Sequence, residues 1–283
     1  MKKKGKADAT IKNVNKALKV IAKNCNLDNP EEVTTFLAIL DKKNGYKRAL
    51  CYSYSNYVKV HKLTWNRPNY YQNAKMPKIP LESKIECIMA NAPKKLVTAI
   101  AISKDTGLRP VELMRLKLKD LDLQKGAVYP ETAKHGSPRV LKLKNKTLNI
   151  LNKYLATVSI GLNDNIFGTW NSDSYGKWFR HSRNKTAEKT QDLSIKTIRL
   201  YDLRHFFATM TYHRTKDILF VKQQMGHKKI ETTLIYTQLL QFEQDNNYTC
   251  KVAQNVEQAT ELIENGFEYV TEMDGLELFR KRK

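Results

Sequence analysis

Residues 200–210 read Leu-Tyr-Asp-Leu-Arg-His-Phe-Phe-Ala-Thr-Met. Four apolar side chains recur in this stretch at spacings of three, four and three residues, which is the period of one face of an α-helix. They are Leu200, Leu203, Phe207 and Met210. The stretch therefore predicts a helix that buries one face, and the polar residues beside that face are the first candidates for a functional role.

A polar stripe made of Tyr201, Arg204 and His205 runs next to this apolar face. An arginine at the edge of a buried face is costly unless it meets an anion. Arg204 is therefore a candidate for binding an anionic ligand. The alternative is a structural ion pair between Arg204 and a carboxylate of the protein itself.

A second arginine stands at a predicted helix start further upstream. Residues 106–113 read Thr-Gly-Leu-Arg-Pro-Val-Glu-Leu, so that Gly107 ends one helix and Pro110 takes the first position of the next. Backbone N–H groups and the positive end of the helix dipole collect where Arg109 lies, and its guanidinium adds a fork for phosphate oxygens. The alternative is a surface ion pair with Glu112.

The third candidate segment follows a helix predicted at residues 216–225. Gly226 is typical of the residue that ends a helix in a left-handed conformation, so His227 is expected to lie in a fixed turn. We expect the next helix to begin near Ile230 and to carry Tyr236 on its second turn.

Taken in order, these segments resemble the motifs of the tyrosine recombinases, or integrases. That family has T-G-L-R-x-x-E-L, then H-x-x-R, then a Gly-His turn with a tyrosine nine residues after the histidine. The matching residues here are 106–113, Tyr201-x-x-Arg204, Gly226-His227 and Tyr236. A family lysine in a turn between two strands, within T-K-x-G-x-x-R, is matched by Lys134 in residues 132–139. The resemblance covers roughly residues 80–240.

The resemblance implies a reaction on DNA in which Tyr236 attacks a phosphodiester. The products would be a 3′-phosphotyrosyl bond and a free 5′-hydroxyl. Arg109 and Arg204 would hold the non-bridging phosphate oxygens and stabilise the transition state. Because the bond energy stays in the phosphotyrosine, the resemblance implies no cofactor and no catalytic metal.

Three further residues complete the implied site. Lys134 would protonate the leaving 5′-oxygen, while His227 and Tyr201 would donate hydrogen bonds to the phosphate. Tyr201 stands where the family usually has histidine, a change that points toward integrases of archaeal mobile elements. A tyrosine hydroxyl donates hydrogen bonds but, with a pKa near about 10, is a poor base at neutral pH. His205 could partly substitute, although a histidine after this arginine is more often structural.

The order of predicted elements favours a mainly α-helical fold with a small antiparallel sheet. The resemblance implies a helical DNA-clamping, or core-binding, domain at residues 1–72 and an α-rich catalytic domain at residues 81–240, joined by a linker at 73–80. Residues 241–283 form an acidic tail, for which docking on its own domain and docking on a neighbouring protomer both remain open.

Local signals predict several element boundaries. Asn29 and Pro30 are typical of a helix start, and Asn44-Gly45 is expected to stop that helix. The alternating pattern predicts strands at residues 127–131 and 139–143. In the tail, a helix is predicted at 256–264 and a short strand at 267–271.

Charge indicates the partner. The net charge is +22, from 50 basic and 28 acidic residues, and such an excess repels itself unless a polyanion neutralises it. Nucleic acid is the first candidate and an anionic membrane surface the second, but no amphipathic aromatic-basic helix supports the membrane. We expect double-stranded DNA at a specific site as partner, with a tetramer on synapsed DNA and no small-molecule substrate.

The sequence also bears on location. It has no run of about 18 apolar residues and no apolar segment after its basic first residues, so we expect a soluble, cytoplasmic protein. Reduced thiols are expected in that compartment. The cysteines are Cys25, Cys51, Cys87 and Cys250.

Two other functions remain open from the sequence. A type IB-like DNA topoisomerase would share the phosphotyrosine chemistry but would relax DNA that lacks any specific site. A DNA-binding protein without catalysis is the other alternative, and Tyr201 is the feature that favours it.

Overall fold

The structure is a computed structural model of the chain. It describes residues 5–71, 75–133, 136–239, 248–273 and 275–282. The chain divides into two compact units, residues 1–75 and residues 76–283. The division falls inside the segment predicted as a linker, and the described residues between 63 and 81 form neither helix nor strand.

Helices form the described part of the first unit. They are α1 (Asp8–Ala22), α2 (Pro30–Ile39) and α3 (Asn44–His61). The start of α2 is as predicted, with Pro30 in its first position. The Asn29 side chain accepts hydrogen bonds from the backbone N–H groups of Glu31 and Glu32, which lack partners within the helix. The unit buries a small core of Ile21, Val33, Leu37, Leu50, Cys51 and Tyr54.

The predicted helix stop at Asn44-Gly45 is wrong, because α2 already ends at Ile39 and this pair begins α3. The Lys47 ammonium donates a hydrogen bond to the Ala38 carbonyl at 3.1 Å, near the end of α2. The Asn44 amide donates to the Tyr71 carbonyl at 2.7 Å. These contacts stabilise the end of one helix and the start of the next, so they override the local signal.

The second unit is built around the buried helix α5. Its helices before residue 240 are α4 (Glu82–Ala90), α5 (Lys94–Thr106), α6 (Pro110–Met114), α7 (Asn145–Leu155), α8 (Ser172–Lys189), α9 (Asp202–Thr215), α10 (Ile218–Met225) and α11 (Glu231–Leu234). The apolar α5 contacts α4, α6, α7, α8 and α9, which explains its burial. Gly107 ends α5 with φ 59°, as predicted.

A small antiparallel sheet lies between α6 and α7. Its strands are β1 (Leu121–Asp122), β2 (Ala127–Val128) and β3 (Leu141–Lys142), in the order β1-β2-β3. Val128 pairs with both Leu121 and Leu141. The paired strands are shorter than predicted, and Arg139, placed in the predicted second strand, lies before β3 with its side chain buried.

The tail folds into a compact βαββ arrangement. Its elements are β4 (Tyr248–Ala253), α12 (Val256–Glu264), β5 (Glu268–Met273) and β6 (Leu276–Arg282), with sheet order β4-β6-β5. The helix has the predicted bounds, and β5 corresponds to the predicted strand. The sequence analysis missed β4 and β6. Phe279 of β6 is buried with Ala253, Ala259 and Leu262, so this segment has its own small core.

Among the described residues, no helix is both long and apolar enough to cross a membrane.

Candidate active site

Arg204 lies on the first turn of α9, only 2% exposed, at the centre of the site. Its guanidinium donates hydrogen bonds to the backbone carbonyl of Gly107 and, at 2.6 Å, to that of Met225. Both carbonyls lie at helix C-termini, where they lack intrahelical partners and carry partial negative charge. In the described part of the chain, the partners of Arg204 are therefore these two helix ends and the His227 ring, not the carboxylate that was the alternative.

The charge of Arg204 is only partly compensated. Burial, and next the positive charge of Arg109, lower the pKa of Arg204 to about 10. The buried Nε has no hydrogen-bond partner among the described residues. Two nearby guanidinium groups with a spare donor form a site that an anion would stabilise.

Glu112 fixes the position of Arg109 through two hydrogen bonds. The Glu112 carboxylate, on α6, accepts hydrogen bonds from Arg109 Nη1 at 2.7 Å and from the Arg109 backbone N–H at 3.0 Å. It also accepts from Arg139 Nη2 at 2.7 Å and from the Ala133 N–H at 3.1 Å. Burial alone would raise the pKa of Glu112, but Arg139 and these backbone donors lower it to about 2. The ion pair between Arg109 and Glu112 thus exists, but it is buried and orients the arginine.

Arg139 links two turns of the site. Its guanidinium is fully buried between Glu112 and Gly226. The backbone of Ser137 donates to the Gly226 carbonyl at 3.4 Å, and a Cβ on Gly226 would lie 2.7 Å from Arg139 Nη1. The turn after β2 therefore packs directly on the turn that carries His227. Lys134, which the sequence predicts in the turn after β2, lies outside the described residues.

His227 follows the glycine that ends α10, as predicted, since Gly226 has φ 61°. Its Nε2 lies 3.1 Å from Arg204 Nη2, and its Nδ1 lies 2.9 Å from the Thr233 hydroxyl. Burial and the charge of Arg204 lower the pKa of His227 to about 4, so the ring is neutral near pH 7. Because a guanidinium only donates, Nε2 accepts and Nδ1 carries the proton.

Tyr236 does not lie on the second turn of a helix, as the sequence had predicted. α11 ends at Leu234, and the Tyr236 N–H donates to the Thr233 carbonyl three residues back. This tighter turn directs the tyrosine inward, where it is only 2% exposed and packs near Phe207 and Met225. Burial raises the pKa of Tyr236 to about 12, although the charge of Arg204 opposes the rise.

The Tyr236 hydroxyl has a specific partner, His205. Its oxygen lies 3.0 Å from His205 Nδ1. Tyr201, the residue just before α9, is 46% exposed and meets the edge of the His205 ring at a centroid distance of 5.2 Å. Of the two polar residues flanking Arg204 on the predicted stripe, it is therefore His205 that contacts the candidate nucleophile.

The structure brings Arg109, Arg204, His227 and Tyr236 into one site, with Tyr201 at its edge. Sequence reasoning undervalued three further members, Glu112, Arg139 and His205. A signal for the first two was present, because a charged residue predicted beside buried apolar positions needs a partner of opposite charge. The contact between His205 and Tyr236 had no local signal.

Comparison with known proteins finds one matching family and several similar recombinases. The profile of the phage integrase family matches residues 81–242. Tyrosine recombinase XerA of Saccharolobus solfataricus is 30% identical over 149 residues, which are 53% of this chain and 47% of the relative. XerA of Pyrococcus horikoshii is 27% identical over 223 residues, 72% of this chain and 74% of the relative. The chain spans about half the length of the first curated relatives it matches.

Solved structures share the fold. The Tn1549 transposon integrase in complex with transposon right end DNA has a TM-score of 0.64 at 18% identity, covering 82% of this chain and 89% of that one. A λ integrase tetramer bound to a Holliday junction has a TM-score of 0.64 at 17% identity, covering 82% and 72%. The family profile spans more than half of the chain and includes every site residue described above, so this chain belongs to the phage integrase family.

Proposed function

We propose that this protein is a site-specific DNA recombinase of the tyrosine type, which cleaves and rejoins DNA through a 3′-phosphotyrosyl intermediate. The observation that carries the proposal is a buried tyrosine hydroxyl that is held by His205 and lies within the influence of the only partly compensated charge of Arg204, in a chain of the phage integrase family. The substrate is double-stranded DNA at a specific site, in keeping with the net charge of +22.

The arginines bind the scissile phosphate. Arg109 is oriented by Glu112, and the unpartnered Nε of Arg204 faces no other acceptor in the described part of the chain. Two fixed guanidinium groups match the charge that grows on the non-bridging oxygens in the transition state. Because backbone carbonyls and a buried carboxylate already hold both side chains, little reorganisation is needed when the phosphate arrives.

Tyr236 is the nucleophile in this proposal. Its oxygen attacks phosphorus, the bond to the 5′-oxygen breaks, and Lys134 protonates the departing oxygen. His227 and Tyr201 donate hydrogen bonds to the phosphate. In the structure, His227 Nε2 accepts a hydrogen bond from Arg204. When the phosphate replaces Nε2 as the acceptor of Arg204, the ring can change tautomer, and Nε2–H can then donate to the phosphate.

The domain assignments follow from the same proposal. Residues 1–72 clamp the DNA, residues 73–80 link the units, and residues 81–240 carry the chemistry. Residues 241–283 dock on their own domain or on a neighbouring protomer. The λ integrase likeness, a tetramer on a Holliday junction, supports a tetramer on synapsed DNA. Chemistry on genomic or mobile-element DNA places the protein in the cytoplasm.

Two alternative functions predict different results in experiments on DNA. A type IB-like topoisomerase would relax plasmids without any specific site, whereas a recombinase exchanges strands between two copies of one. A DNA-binding protein without catalysis is disfavoured because the Tyr236 hydroxyl is held against a histidine, an arrangement that DNA binding alone does not need.

A covalent trap tests the proposal. Duplexes drawn from DNA flanking the gene, nicked so that the freed 5′ end diffuses away, are incubated with the wild type and with Tyr236→Phe. We expect a denaturant-resistant, protease-sensitive adduct with the wild type only, while both proteins bind the DNA equally. An adduct with Tyr236→Phe would show that another residue is the nucleophile. Salt-sensitive binding without any adduct would favour the non-catalytic alternative.

A further inference from the structure

We infer that His205 is the base that accepts the phenolic proton of Tyr236 during strand cleavage and returns it during rejoining. The inference rests on the proposed function, and it assigns a role that the Tyr201 position does not fill. Its basis is one contact, the 3.0 Å separation between His205 Nδ1 and the Tyr236 oxygen.

The ring nitrogen is placed for proton transfer. A distance of 3.0 Å between oxygen and nitrogen is within the range in which a side chain takes a proton directly. Tyr236 carries a hydroxyl proton at neutral pH, since its pKa is raised to about 12. In the His205 tautomer that carries its proton on Nε2, the phenol donates to Nδ1, which is the polarity that a base and its nucleophile require.

The surroundings of His205 keep it in the accepting form. Burial lowers the pKa of His205 below its usual value, and the charges of Arg199 and Arg204 lower it further, against the opposing charge of Asp202. The Tyr201 and Tyr236 rings also lie against the imidazole, at centroid distances of 5.2 and 5.9 Å. A neutral imidazole next to a protonated phenol is what base catalysis near neutral pH needs.

Other groups at the site are less suited to this role. Both ring nitrogens of His227 are engaged, one by Arg204 and the other by Thr233. Arg109 and Arg204 have no acceptor atom, since guanidinium groups only donate. Tyr201 is a phenol like the nucleophile itself, so it is not a stronger base than Tyr236 and would not favour removal of the Tyr236 proton. Among the described residues, His205 is therefore the acceptor in contact with the reacting oxygen.

Helix geometry explains how a base can occupy this place. Tyr201 and His205 are four residues apart, so they lie on the same face of α9, one turn from each other. The tight turn after α11 brings Tyr236 to the level of His205 instead of Tyr201. The imidazole is thus supplied one turn further along the helix than the family's usual histidine.

The proton balance closes in both directions. In cleavage, the Tyr236 oxygen bonds to phosphorus, its proton moves to His205 Nδ1, and the bond from phosphorus to the 5′-oxygen breaks. The 5′-oxygen leaves as a hydroxyl, with a proton from the acid proposed to be Lys134. In rejoining, an incoming 5′-hydroxyl attacks phosphorus and gives its proton to the residue proposed to be Lys134, which lost one in cleavage. The phosphotyrosyl bond breaks, and His205 gives its proton back to Tyr236.

The first test compares His205→Ala with a matched control. On the nicked duplexes, we expect His205→Ala to lower the single-turnover rate of adduct formation by about 100-fold or more, as loss of a base does. His181→Ala removes an exposed histidine of α8 outside the site and should retain the wild-type rate. DNA affinity should change less than about threefold in both, since neither substitution removes a lysine or an arginine that would neutralise a phosphate.

Chemical rescue separates a base from a structural residue. Replacing Tyr236 by a difluorinated tyrosine, whose phenol ionises near neutral pH, should restore most of the lost rate in His205→Ala. A substrate with sulfur in place of the bridging 5′-oxygen needs no acid, so it should not rescue His205→Ala. The same substrate should rescue Lys134→Ala, which marks the acid.

Three results would overturn the inference. They are a His205→Ala rate within about threefold of the wild type, a loss that the difluorinated tyrosine leaves unchanged, and a rescue by the sulfur substrate. The first would mean that the contact is incidental, and the others that His205 positions the tyrosine or acts on the leaving group. Absence of any adduct with the wild type would instead remove the proposed function and the inference with it.

Discussion

At the scale of single residues, the site depends on buried charges that are stabilised by hydrogen bonds to neighbouring side chains and backbone groups. Glu112 is the clearest case, because one carboxylate serves two arginines and two backbone donors. Without it, Arg139 would be a buried cation with no anion. Such an uncompensated charge is among the most destabilising changes that a protein core can undergo.

We therefore predict that Glu112→Gln lowers the free energy of unfolding by about 3 kcal/mol or more. The amide keeps the size of the side chain but loses the charge and one acceptor oxygen. The matched control is Glu82→Gln, whose exposed carboxylate pairs with Lys104 and should contribute less than about 1 kcal/mol. Urea unfolding of the three proteins measures both, and equal midpoints for the two variants would contradict the buried-pair argument.

Residue patterns predicted most residues of the candidate site, but not which of them contacts Tyr236. Arg109, Arg204, His227 and Tyr236 were predicted from order and spacing, and the structure places them together. His205 was considered more often structural, yet it is the residue that contacts Tyr236. Sequence spacing could not reveal this, since the contact joins residues 31 positions apart and depends on how the turn after α11 packs.

At the scale of elements, the turns between helices position the chemistry. Gly226 ends α10 and places His227, while its backbone supports the turn that holds Ser137 and Arg139. Two requirements meet at this glycine. Its φ of 61° favours glycine over any other residue, and the space where a Cβ would lie is occupied by Arg139.

We predict that Gly226→Ala is more destabilising than Gly126→Ala. Both glycines have φ 61°, so both variants incur a similar backbone cost of about 1 kcal/mol. Only at Gly226 would the added Cβ lie 2.7 Å from Arg139 Nη1; at Gly126 the nearest atom is at 3.6 Å. We expect a further loss of about 1–3 kcal/mol at Gly226, from overpacking.

Urea unfolding measures the difference, and the rate of DNA cleavage provides a second readout. Gly226→Ala should also slow cleavage, because it displaces His227, whereas Gly126→Ala should not. Equal stability losses at the two positions would mean that Arg139 moves aside freely, which its burial argues against.

Element boundaries were predicted well where local capping decides them and poorly where packing does. The helix at Val256–Glu264 has the predicted bounds, and Gly107 ends α5 as expected. The stop at Asn44-Gly45 and the helical position of Tyr236 were wrong. In both cases a more distant contact outweighs the local preference. Lys47 of α3 bonds to Ala38 of α2, Asn44 bonds to Tyr71, and the buried Tyr236 tightens the turn after α11.

At the scale of the whole molecule, charge dominates. A net charge of +22 is much more than the active site needs, so most basic residues are available to neutralise phosphates along the DNA. The acidic residues that outnumber basic ones in the tail are kept in a segment with its own core. Under the proposed function, the basic residues before position 240 contact DNA and the acidic tail contacts protein.

We predict that DNA affinity falls by about 10³-fold or more between 50 and 200 mM salt, as expected for about six or more neutralised phosphates. Tyr236→Phe is the protein to use, because it binds without reacting. Fluorescence anisotropy with a labelled duplex measures the slope. A nearly flat response would mean that the positive charge does not face the DNA.

The sequence by itself determined the helical character of the chain, several helix ends and the identity of the chemical groups. These properties depend on interactions within a few residues: the 3.6-residue period, side-chain caps and the left-handed conformation of glycine. Only the tertiary structure decided that Glu112 serves both arginines, that Arg139 supports Gly226, and that His205 rather than Tyr201 contacts Tyr236. Those contacts join segments far apart in the chain, so their geometry is fixed by packing of the buried helices and not by any local pattern.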